Sequence, residues 1–499
     1  MHFQYFSNPP SPPLYTGTQM LTRRTLLQAL CASAALPASP RERFVGITVM
    51  PEDYQVEGIE QVLRNVKTRA RATAVATSPY VMEPSDREHG QRQPPIDAGA
   101  GGVRLLDRPL WGKREIYTRS APSFVPNLRL YQGLRYQPSA ADNLTRSQGG
   151  IVRDFLRAAK AAGLKTYFQI QSCSPPDYVV SAGGPIDEDR PRLPDGSMPK
   201  RHVGNNGSLA SSEIRRYTET LIADLCQQYP EIDGIRVDWP EYPQYFLDDA
   251  FLDFGAPAQA AAVRLGFDFE RMRRAAGDLY RHLHGELTDR ELDSASFVLL
   301  PFMSQNEGLA DLGRFKAALV KELLEGFRAA IPRGKELVPN AFPPPFSFAS
   351  GMDYGKVAPY CDGISVKFYT MHWPMIVRFY GDALMEANPR ISGALLVRKL
   401  VRILGIADDD GFPHLADYNY PGPETPHPVG RNAQRVKIEA AQKAAGKTPV
   451  YALAHGYGPF EDFRARLDVA YQASERRVWV NRYGYLTEEK IDAVGSVCA

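Results

Sequence analysis

The segment from Asp233 to Tyr245, DGIRVDWPEYPQY, gathers the most informative set of reactive side chains in this 499-residue chain. Strand alternation places Ile235 and Val237 on one side and Arg236 and Asp238 on the other. A second carboxylate, Glu241, follows past Trp239 and Pro240, which stiffens the turn. Two carboxylates, a basic neighbour and three aromatics (Trp239, Tyr242 and Tyr245) make up the inventory that cleavage of a sugar linkage needs. One carboxyl group protonates the leaving oxygen, another attacks or activates water, and flat rings cover the C–H faces of the sugar. Three residues of chain reach at most about 10 Å, so both acids can face one cleft. Asp238 and Glu241 are therefore expected in the catalytic centre, with their pairing left open. The plainer alternatives are an Asp238 that pairs with Arg236 and a Glu241 that is a solvated loop acid.

Further polar and aromatic groups stand where other apolar runs end. Arg236, Trp239, Tyr242, Asn340, Lys367, Tyr369, His372, Trp373, His455, Tyr457 and Arg482 are the expected substrate contacts, through hydrogen bonds to ring hydroxyls or through stacking. Tyr80, Glu83, Gln169, Gln171 and Tyr483 belong to the same wall, and Glu307 and Glu461 are weaker candidates for a partner acid. His282-Leu-His284 spells a metal-binding HxH, but it sits in a helical pattern where residues two apart diverge. HExxH, GxSxG and a phosphate-binding glycine loop are all missing, so the sequence points to no metal and no cofactor.

Elements must hold these groups in place. Strand-length apolar runs recur at 44–50, 72–80, 164–171, 232–238, 337–342, 363–369, 449–455 and 477–483, and consecutive apolar positions suit strands covered on both faces. Helical spacing fills 150–162, 212–228, 311–331, 432–445 and 461–474, with Gly163 and Gly446 as stops. Eight strands alternating with helices predict a closed (β/α)8 barrel, the α/β class known as the TIM barrel, with an open doubly wound sheet as the alternative. Long connections at about 81–149, 172–211, 239–310 and 370–431 follow carboxyl ends of strands, the rim where barrel enzymes keep their sites.

The run GIRVD resembles the nucleophile strand of alpha-amylase-type glycoside hydrolases, which implies Asp238 as nucleophile with Arg236 beside it. The pattern departs from that family at Asn340, where no Glu is offered, and at His455, which Gly456 follows instead of an Asp. NGSLASSEIRRY, DGISVKFYTMHW and RRVWVNRYGYL are similar in outline to bacterial exported glycoside-hydrolase-like barrel proteins of the TIM-barrel glycoside hydrolase superfamily. That resemblance implies a carbohydrate substrate without specifying it.

Composition agrees with a soluble catalytic domain: 43% hydrophobic, 23% charged, and 59 basic against 57 acidic residues, which leaves no basic surface for nucleic acid. Cys31, Cys173, Cys226, Cys361 and Cys498 are too scattered for a disulfide framework or zinc ribbon. Residues 1–38 read as a twin-arginine-type signal, with Arg23-Arg24 before an apolar stretch from Leu26 to Leu36, preceded by an upstream extension. That stretch is shorter than the roughly 20 residues a membrane-spanning helix needs. The expectation is a periplasmic or secreted glycoside hydrolase, residues 39–499 forming one barrel with insertions. A carbohydrate-binding barrel without turnover and a metal-dependent hydrolase on the same fold are the alternatives.

Overall fold

The computed structural model describes residues 42–96, 100–175, 178, 183–201, 205–294 and 306–499. The signal region lies outside these residues, as do Cys31 and part of the glycine-rich turn at 98–102. Arg43 to Ala499 form one compact unit.

Eight parallel strands close into a barrel: β1 (Phe44–Thr48), β2 (Ala74–Thr77), β3 (Lys165–Gln171), β4 (Gly234–Asp238), β5 (Glu336–Ala341), β6 (Ile364–Phe368), β7 (Val450–His455) and β8 (Arg477–Asn481). Every apolar run named above supplies one of them, in order around the ring. Pairing of Phe44 with Arg477 through Ile47 with Val480 joins the first strand to the last. A sheet closed in this way has no exposed edge.

The expected helices form at Gly150–Ala161, Ser212–Gln228, Glu307–Ala330, Arg431–Ala445 and Phe460–Ala473, and pack their apolar faces on the ring. Gly163 and Gly446 take positive φ, 76° and 63°, where a side chain is disfavoured. The insertion after β2 holds an antiparallel sheet of Tyr80–Pro84, Ile116–Pro122 and Gln91–Gln93, which the sequence reading did not anticipate. Tyr80 begins this second sheet and does not end β2. The insertion after β4 adds helices Ala256–Leu265, Phe269–Leu283 and Asp289–Ser294, and that after β6 adds His372–Ala387 and Gly393–Leu404.

Inside the ring, Ala74, Ala76, Tyr167, Val338, Tyr451, Leu453 and Trp479 make one packed cluster. Trp479 meets Tyr167 edge to face at 5.4 Å, and it fills the space where a side chain at Gly46 would lie. This plug leaves the carboxyl end of the strands as the side from which inward groups can meet solvent.

Candidate active site at the carboxyl end of the barrel

The alternation expected of β4 is what the structure contains. Arg236 points inward and is fully buried. Its guanidinium donates to Thr48 Oγ1 at 3.2 Å, Gln169 Oε1 at 3.2 Å and Asn340 Oδ1 at 2.8 Å, and lies 3.9 Å from the centre of the Trp479 ring. Four strands are thus tied to one fork whose planar donors suit neutral acceptors. Burial lowers the Arg236 pKa to about 10, so the charge persists at neutral pH. Arg236 and Asn340, expected as substrate contacts, are both sealed inside the barrel, where they hold it together.

One residue pair higher, the register sets Gln171 beside Asp238, Asp238 beside Asn340, Leu453 beside Lys367 and His455 beside Asn481. Asp238 keeps 6% of its surface exposed, Gln171 6% and Asn481 9%, while Tyr369 and Arg482 are half-buried. Since the plug blocks the other end, this exposure opens at the mouth. Asp238 Oδ1 lies 2.6 Å from Lys367 Nζ and accepts the Trp239 N–H at 3.1 Å. Trp239 adopts φ of 49°, a conformation that costs a bulky residue on the order of 1 kcal/mol and suggests an imposed geometry. Its ring is thereby set 4.7 Å from the Lys367 ammonium.

Glu241 differs from the expectation. Its side chain is fully buried, with Oε1 accepting the Phe342 N–H at 2.6 Å and Oε2 accepting the Ser350 hydroxyl at 2.5 Å. Both oxygens therefore pin the loop after β4 to the loop after β5. Burial pushes the carboxyl up to about 7, opposed by the Lys367 charge and these hydrogen bonds.

Another acid, missed in the sequence, stands at the end of β1. Glu52 is 1% exposed, accepts the Tyr80 hydroxyl at 2.9 Å and has Arg482 at 4.0 Å. Burial raises its pKa and lifts neighbouring Asp53 to about 8. In MPEDY these acids read as the solvated first turn of a helix; Tyr80 of the β2 insertion and Arg482 after β8 lie against Glu52, and Gly484 lies beside Asp53.

Several expected contacts turn out to be packing. Trp373 is buried against Phe368 at 5.5 Å. Tyr242 is buried and donates to Asp253 at 3.2 Å. Tyr457 ties loops together by donating to the carbonyls of Val103 at 3.2 Å and Pro421 at 3.0 Å. Glu83 pairs with Arg119 in the antiparallel sheet, and Tyr483 donates to Glu57 at 2.7 Å. Glu307 and Glu461 are exposed helix-start acids paired with Arg271 and Arg464. Tyr369, His372, His455 and Arg482 do gather around the mouth: the His455 ring lies 5.1 Å from Tyr369 and the His372 ring 5.5 Å from Tyr369, while Asn481 donates to the Tyr369 hydroxyl at 2.8 Å.

Among the described residues, no three His, Cys, Asp or Glu side chains converge as a metal ligand set. His282 and His284 go separate ways, the first to Glu286 and Glu291 and the second to the Tyr280 carbonyl. Cys173, Cys226, Cys361 and Cys498 are buried thiols. No helix among the described residues is long and apolar enough to cross a membrane.

The fold and the mouth define a (β/α)8 barrel with a buried polar floor. No family model matches the sequence, and no curated protein matches it. Solved structures similar to the chain include glycoside hydrolases. A beta-galactosidase from Marinomonas ef1 has 11% identity and a TM-score of 0.45, covering 88% of this chain, which spans 54% of that protein. The catalytic domain of beta-amylase from Paenibacillus polymyxa has 11% identity and a TM-score of 0.45, covering 90% of this chain and 94% of its own. The PgaB glycoside hydrolase domain from Bordetella bronchiseptica has 12% identity and a TM-score of 0.38, covering 87% and 99%. Strand order and register by themselves define the closed barrel.

Proposed function

We propose that the protein is an exported glycoside hydrolase acting on a poly- or oligosaccharide at the barrel mouth. The observation that carries this reading is Asp238: an inward-facing, nearly buried carboxylate at a strand end, in contact with Lys367 and 6% exposed. In this reading Asp238 reacts at the anomeric centre. The proton donor is Glu52, whose pKa is raised by burial against the lowering pull of Arg482 at 4.0 Å. Glu241 serves as a positioning residue, since both of its oxygens are committed to holding the loop that carries Asp238 and Trp239.

The test is an aryl-glycoside and polysaccharide panel with the Asp238→Asn variant, which keeps the shape and an acceptor for Lys367. A loss of about 10³-fold in kcat/KM with unchanged circular dichroism is expected; full activity in the variant removes the assignment. With Asp238 as nucleophile the first product retains its anomeric configuration, which proton NMR reads directly. Export is tested by replacing Arg23 and Arg24 with lysines, which should hold the chain in the cytoplasm.

One observation favours a carbohydrate-binding barrel without turnover: Asp238 Oδ1 is already engaged by both Lys367 and the Trp239 N–H. Saturable glycan binding with no release of reducing sugar would decide for that reading.

A further inference from the structure

We propose that the Trp239 indole N–H and the Gln171 side-chain carbonyl form a pair that reads one neutral sugar hydroxyl, the one on the carbon next to that attacked by Asp238. This rests on the glycoside reading and narrows its substrate class to sugars with that hydroxyl free. Both side chains are more than nine-tenths buried, yet Trp239 Nε1 and Gln171 Oε1 have no hydrogen-bond partner among the described residues. A buried donor and a buried acceptor left unpaired are costly, which makes two of them beside one carboxylate informative.

Both groups are placed by the elements that place Asp238. Gln171 ends β3 two residues after Gln169, whose amide meets Arg236 inside the ring, so strand alternation turns Gln171 inward as well. Its register partner across the sheet is Asp238. Trp239 follows Asp238, and its ring lies 4.7 Å from Lys367 Nζ, which is itself 2.6 Å from Asp238 Oδ1. The backbone holds the indole in place. The Asp238 carbonyl accepts the Ser172 N–H at 3.1 Å and the Ser172 hydroxyl at 2.6 Å, while the Trp239 carbonyl accepts Asn206 Nδ2 at 3.3 Å. With the Trp239 N–H on Asp238 Oδ1 at 3.1 Å, these bonds hold the residue at its φ of 49°. The direction of the indole is thus imposed by its surroundings at a cost in strain.

The chemistry of the pair selects the ligand. The two atoms do not bond each other, so a group that satisfies both must accept from the indole and donate to the amide oxygen. The anomeric carbon has two ring neighbours. The ring oxygen can only accept and would leave Gln171 unpaired, whereas the hydroxyl on carbon 2 does both from a single atom. A 2-acetamido group also offers both functions but spreads them over several atoms, and exposures of 4% for Trp239 and 6% for Gln171 and Asp238 describe a slot suited to a single oxygen.

The test uses 4-nitrophenyl glucosides and galactosides of both anomers with their 2-deoxy and 2-acetamido counterparts, alongside titration calorimetry with the corresponding free sugars. Parents should exceed both counterparts at least about tenfold in kcat/KM or in affinity. Trp239→Phe and Gln171→Met should each lower the parent value about tenfold and leave the 2-deoxy value unchanged, so that the ratio collapses; a merely structural role would lower both alike. A 2-deoxy sugar handled as well as its parent, a preference for the 2-acetamido form, a ratio that neither variant moves, or no sugar bound or cleaved would each overturn the proposal. Should Trp239→Phe fail to fold, Gln171→Met and the ratio on the unaltered chain decide. A calorimetric preference for the parents without hydrolysis keeps the pair and removes the hydrolase; hydrolysis with equal handling of the 2-deoxy form does the reverse.

Discussion

Glu241 is the residue whose environment speaks most directly to pH. Its folded-state pKa, about 7, stands above the ordinary 4.5, so its contribution to stability is complete below 4.5 and is lost as pH rises toward and through 7. The loss is on the order of 3 kcal/mol if the whole shift is expressed. Urea melts at intervals across that window should show the decline, and Glu241→Gln should flatten it. The variant's own cost, about 1 to 3 kcal/mol, reflects the bonds to Phe342 and Ser350 that an amide reproduces in part. An unchanged slope in Glu241→Gln would mean that the carboxyl titrates normally. For Glu52 the readout is kinetic. A proton donor loses effect as pH climbs through its pKa, so Glu52→Gln should abolish the alkaline limb of the kcat profile and leave the thermal transition little altered. Strand alternation was a fair guide to the direction of Asp238. It was a poor guide to Trp373, Tyr242 and Tyr457, because an aromatic ring serves a buried wall and a sugar platform equally well.

At the scale of elements, the inward side chains of the strands do the joining. Arg236 reaches Thr48 on β1, Gln169 on β3 and Asn340 on β5, so Arg236→Ala removes a donor from each of these groups and opens a cavity at once. A loss of about 3 to 5 kcal/mol is expected by chemical denaturation, and a loss under about 1 kcal/mol would show that the barrel core repacks freely. Gly46→Ala tests the neighbouring layer: the new methyl group would collide with the Trp479 ring, and a cost of about 1 to 3 kcal/mol is expected. The eight strands were legible because parallel strands covered on both faces are written as continuous apolar runs. The small sheet was not, since one of its edges is the polar run Gln91–Gln93, whose strand character comes from its partner Ile116–Pro122 in the middle. Glu52 stayed hidden for a related reason, because the groups against it, Tyr80 and Arg482, come from segments distant in the chain.

For the molecule as a whole, the compact unit begins at Arg43 and β1 at Phe44. A chain starting at Glu42 should therefore keep the thermal midpoint of the full-length protein within a degree or two. One starting at Val49 lacks β1 and should not unfold cooperatively, because the remaining sheet has two open edges. A cooperative transition in the shorter chain would contradict ring closure by β1 and β8.

Closure through β8 also sets an order of events during synthesis. Residues 477–481 must have left the ribosome before the ring can shut, so a nascent chain that already displays β1 waits with a bare strand flank while some four hundred further residues emerge. Such an intermediate invites pairing with a neighbouring copy, and production yield should respond to translation speed and holdase supply more than the finished fold's thermodynamics would suggest.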